Sequence, residues 1–147
     1  MRKRRMIRKR RIIGMLVLTG MLAGVLTGCA GRQKLSDGFD EAEVKAEAKE
    51  VIEILNDGDV DTLVDDRWNA MLKSVLDKDM VKSQVLPVIE ELGAFEGFDK
   101  EAVTGSKDPD TEQEYAVAVI VAEYEKRKAQ FTISFDEEMK VGGFYIK

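Results

Sequence analysis

Three observations predict an α+β domain with N-terminal helices on one face of an antiparallel sheet of about four strands. Apolar residues recur at helical spacing as far as Gly93 and at alternate positions after it. The later segments are joined by short polar turns, which suit consecutive antiparallel strands. The first 28 residues have the layout of an export leader and are set aside from the folded unit.

The chain has 147 residues, enough for one small domain. It carries 23 Lys+Arg, 28 Asp+Glu, one cysteine and no histidine. Without histidine there is no Ser-His-Asp or Cys-His nucleophile and no His metal ligand. One cysteine excludes an intrachain disulfide and a Cys-cluster metal site. The five serines lack a glycine-flanked elbow, which excludes a serine hydrolase on pattern as well.

Residues 1–28 hold eight basic residues and no acid, followed by an apolar run over 12–26. Taking those eight from 23 leaves 15 basic against 28 acidic residues from Cys29 onward, a formal −13. The run is shorter than the roughly 20 residues that span a bilayer, so a cleaved leader is expected rather than an anchor helix. It ends Leu26-Thr27-Gly28-Cys29, which resembles the bacterial lipobox. That resemblance implies a diacylglyceryl group on the Cys29 sulfur and cleavage between Gly28 and Cys29. Arg10-Arg11 raises a twin-arginine route, but eight crowded basic residues make such a pair by chance, and the general secretory route is expected. The protein is therefore expected on the extracytoplasmic face of a cell membrane, lipid-anchored, with residues 29–39 as a flexible tether and 40–147 as the domain. The acidic domain disfavours nucleic acid as a partner.

Val44, Ala48, Val51, Ile52 and Leu55 lie on one face of a first helix predicted over 39–55. Asp40, Glu41 and Glu43 suit its positive end, and Asn56-Asp57-Gly58-Asp59 ends it. Asp59 or Asp61 caps a second stretch towards Leu76, whose many apolar residues predict a bend. Asp77 caps a third helix through Leu92, which Pro87 should kink or divide before Gly93 ends it. Strands are predicted over 95–104, 114–125, 129–135 and 140–146. The second is apolar on both faces, as a central strand would be, and the third alternates cleanly.

The order of helix, Asn-Asp-Gly-Asp, short helix, capped helix ending Leu-Gly-Ala-Phe, and strands ending Phe-Asp-Glu-Glu-Met-Lys-Val-Gly-Gly-Phe resembles domain of unknown function 3887. The resemblance covers roughly residues 40–147. It implies similarity to the nuclear transport factor 2-like (cystatin-like) cone, with a curved sheet wrapping the first helix around an apolar cavity. It also implies secreted or lipid-anchored bacterial relatives, many of which dimerise through the outer sheet face.

Within such a cavity, Trp68 and Tyr145 would be walls, each an apolar body with a polar tip. Enzymes with the cone fold use an Asp base and polar donors, roles that Asp65, Asp66, Tyr115, Tyr124 and Tyr145 would fill here. In so acidic a chain, Asp65 and Asp66 are equally a solvated helix entrance. The cluster Asn56 to Asp61 fails as a calcium loop, because its twelfth position from Asp57 is Trp68. Asp108-Pro109-Asp110 reads as a hairpin turn. The expectation is a lipoprotein whose domain binds a small apolar or amphipathic ligand, or a protein partner, without catalysis, metal or cofactor. The alternatives are a cone-fold lyase or isomerase with an Asp base and a Tyr donor, and a dimerisation module with a filled cavity.

Overall fold

A computed structural model of the chain describes residues 33–147. The expected leader and the lipobox-like Leu26-Thr27-Gly28-Cys29 lie outside the described residues.

Helix α1 spans Glu41–Asn56, and its Ncap Asp40 accepts the Glu43 backbone N–H at 2.9 Å. Gly58 makes the exit with φ of 72°, a left-handed turn that glycine adopts without cost. Asp59 caps the next turn, α2 (Val60–Thr62), which widens into a π turn over Leu63–Arg67. The predicted bend falls at Trp68 and Asn69, both in extended backbone. There the chain leaves the helical layer to meet the sheet, where Asn69 N–H donates to Val141 C=O at 2.8 Å. Asn69 also caps α3 (Ala70–Val75) through the Leu72 N–H.

Asp77 caps the third run as expected. It comprises α4 (Lys78–Met80), a π turn over Val81–Val85 and α5 (Leu86–Leu92). Pro87 explains the π turn. It has no N–H to donate, and its ring crowds the carbonyl four residues back, so a wider turn relieves the conflict. Gly93, with φ of 84°, ends the run.

The strands are β1 (Phe95–Lys107), β2 (Glu114–Tyr124), β3 (Lys128–Phe135) and β4 (Val141–Ile146), paired antiparallel in that order. β1 runs three residues beyond its predicted end at Thr104, and it is irregular near Gly97 and Asp99. The core lies between the helices and the inner sheet face. Val44, Ala48, Val51, Ile52 and Leu55 of α1 are buried against Ala116, Ala118 and Ile120 of β2 and Phe131 and Ile133 of β3. Alternate alanines on β2 let the helix approach closely.

Residues 33–39 were expected within a flexible tether. Instead Gln33 bridges Gly105 of β1, and Leu35 and Phe39 pack against the core.

Candidate functional site

The four residues expected to line one pocket do not converge. Trp68 is 2% exposed, its indole N–H donates to Leu76 C=O at 3.2 Å, and its ring lies 5.5 Å from Phe144. It is a pillar between the helices and β4, not a cavity wall. Tyr145 follows Phe144 and therefore points to the opposite sheet face, where it is 61% exposed. Asp65 and Asp66 are exposed, and Asp65 pairs with Lys78 at 2.6 Å. Lys78 also holds Asp61, whose carboxyl is kept below its ordinary range by that partner.

The other tyrosines are engaged elsewhere. Tyr115 OH donates to Gln113 at 2.9 Å on the surface, and Tyr124 OH donates to Asn56 Oδ1 at 2.9 Å. Burial pushes the Tyr124 phenol above its ordinary value. Tyr115 and Tyr124 are thus bonded to Gln113 and Asn56 rather than to Asp65 or Asp66.

The acidic clusters build turns. Asp59 accepts the Thr62 backbone N–H and hydroxyl at 3.1 and 2.8 Å. Asp108 accepts the N–H groups of Thr111 and Asp110, which hold its carboxyl below the usual range. Asp136 accepts the N–H groups of Glu138 and Lys140 and the Asn69 amide. Among the described residues no group of carboxylates is placed to hold a metal ion, and no helix is long and apolar enough to cross a membrane.

A different site emerges at the edge of β4. Leu76, Gln84, Val85 and Val88 of the helical layer and the Phe144–Ile146 stretch of β4 line a groove of about 270 Å³. Lys147 and Gln130 exchange both backbone hydrogen bonds at 2.9 Å, which fixes the phase of the β3–β4 ladder. Tyr145 opposite Thr132, and Gly143 opposite Ser134, therefore direct their backbone groups at β3. Phe144 and Ile146 direct theirs outward, and no described residue hydrogen-bonds to them. Only the start of β4 is covered, by the Trp68–Val141 bridge.

Sequence reasoning missed this groove because Val88 and Phe144 sit at positions of the helical and strand patterns that read as core. The signal was present in Val-Gly-Gly-Phe-Tyr-Ile, a strand with no charge or proline to guard an edge.

Residues 48–144 match the family described as protein of unknown function, DUF3887. The chain belongs to this family. The match runs from α1 to Phe144, so the DUF3887 region includes both layers and most of the groove. The NMR structure of a protein from Ruminococcus gnavus ATCC 29149 is similar, with a TM-score of 0.66 and 27% identity. The likeness covers 77% of this chain and 96% of that one. No curated protein matches the chain.

Proposed function

We propose that this DUF3887 protein is a membrane-anchored, extracytoplasmic lipoprotein whose domain binds a strand of a protein partner at the β4 edge, without catalysis. The lipobox residues and the basic, apolar leader support the anchor. The observation that carries the binding reading is the pair of outward-facing backbone units at Phe144 and Ile146 beside an apolar groove. A strand added there completes the ladder, and its alternate side chains enter between Val85, Val88 and Phe144.

The test is site-specific photocrosslinking in cells producing the full chain. A benzophenone amino acid at Tyr145 is expected to give a discrete adduct with another protein. The adduct should vanish in Val88→Lys and be absent when the probe replaces Asp110 on the β1–β2 hairpin. An adduct of two copies would replace the partner with a homodimer. No adduct at Tyr145 would sink the reading. Fractionation of Cys29→Ser tests the anchor separately, and continued membrane retention would refute lipidation there.

A further inference from the structure

Gly105 lies near the end of β1, opposite Ala116, with backbone that any residue adopts in a strand. Glycine there weakens the strand by its entropy and contributes no side chain. Its neighbours explain it. A Cβ at this position would stand 2.3 Å from the Lys34 carbonyl oxygen and 3.2 Å from Leu35 Cα, both backbone atoms of the passing segment. Gly105 N–H donates to Gln33 C=O at 2.8 Å. The Ser36 hydroxyl then donates to the Glu114 carboxylate across the start of β2, and Phe39 N–H returns to Ser36 C=O at 3.1 Å. Leu35 and Phe39 seat partly buried on the core.

The geometry points to a latch: residues 33–39 dock in a slot that Gly105 keeps open, and the docked segment sets how far the domain stands from its anchor. The distance argument rests on the lipidation of Cys29 proposed above. Gln33 is four residues beyond Cys29 in the sequence, a reach of at most about 14 Å. If the segment releases as far as Asp40, the reach grows to eleven residues, at most about 40 Å. The docked contacts are one ladder hydrogen bond, one side-chain hydrogen bond and two partly buried side chains. Such a set belongs to the part of a fold that opens well before the whole unfolds. The docked latch also covers part of the β1 edge.

The protease Lys-C reads the latch, because Lys34 is the first lysine after Cys29. Membranes carrying the full chain are treated briefly, and the fragment beginning at Leu35 is measured by mass. The wild-type chain is expected to resist. Gly105→Val should be cut at Lys34 on the order of ten times faster, because cleavage follows the open population. Ser36→Ala, which leaves β1 untouched, should fall between them. Equal rates at Lys34 in all three chains, whether fast or slow, overturn the latch. So does a Gly105→Val chain cut equally fast at Lys45 and Lys49 of α1 while Ser36→Ala matches wild type. A chain missing from the membrane fraction before protease is added fails the anchor reading alone, since the Leu35 fragment still reports the latch.

Discussion

Replacing Trp68 with alanine decides whether this residue is a structural pillar or a wall for a ligand. The side chain is 2% exposed, stacks on Phe144 at 5.5 Å and satisfies the Leu76 carbonyl. Truncating a buried aromatic costs about 3–5 kcal/mol. The stranded carbonyl at the end of α3 places Trp68→Ala towards the upper end. A domain of the 115 residues from 33 to 147 has a total stability of roughly 6–17 kcal/mol. The substitution therefore removes about a third or more of a mid-range value and lowers Tm by about 12–25 °C. Urea unfolding followed by far-UV circular dichroism is the right assay, because Trp68 is the only tryptophan and its loss abolishes the fluorescence signal. Trp68→Phe keeps an aromatic ring beside Phe144 but removes the N–H donor, and should cost only about 1–2 kcal/mol. A loss below about 1 kcal/mol for Trp68→Ala would refute the pillar, since a tightly packed indole cannot be removed so cheaply.

Two further substitutions test the packing around the sheet. Gly93→Ala should cost about 1–2 kcal/mol, because φ is 84° and the new Cβ would lie 3.0 Å from Glu125; an unchanged thermal midpoint would contradict that turn. Tyr124 has its phenol value raised by burial, so in alkali the unfolded chain loses its proton first. Stability should therefore fall as pH climbs from the unfolded value near 10 towards the higher folded value. Tyr124→Phe should flatten that fall while costing about 1 kcal/mol at neutral pH through the lost bond to Asn56. An alkaline profile identical to wild type would show that Tyr124 is not the responsible group.

The parts of the fold written in local patterns were legible. The apolar face of α1, the Asp77 cap, Gly58, Gly93 and the alternation of β3 each depend on residues a few positions apart. The π turn at Leu63–Arg67 was hidden because it answers to a distant demand, turning Trp68 towards Val141, whereas the one at Val81–Val85 falls where Pro87 predicted a kink. Trp68 and Tyr145 were grouped by chemistry, although Tyr145 follows Phe144 on a strand and must face the other side. The latch was invisible for a similar reason. The segment at 33–39 shows no periodicity, and the glycine that receives it lies some seventy residues later in β1.

The two edges of the sheet are treated differently, and the difference bears on both proposals. An exposed edge is a template for another strand, and proteins usually blunt it with bulges, charges or a covering segment. β1 has all three: irregular pairing near Gly97 and Asp99, the charged residues Glu96, Lys100 and Glu101, and the 33–39 segment at Gly105. β4 has a bulge at Gly142, beside the Trp68–Val141 bridge, but from Gly143 to Ile146 it has none of them. The contrast is hard to attribute to general tolerance of open edges, because the same small sheet guards one side so fully. The latch and the bare edge also lie at opposite margins of the sheet, separated by β2 and β3. A latch that opens at Gly105 would thus change the domain's reach without disturbing the groove at Val88 and Phe144. Reach and recognition should consequently vary independently: Gly105→Val should leave the Tyr145 crosslink intact, and Val88→Lys should leave Lys34 protected.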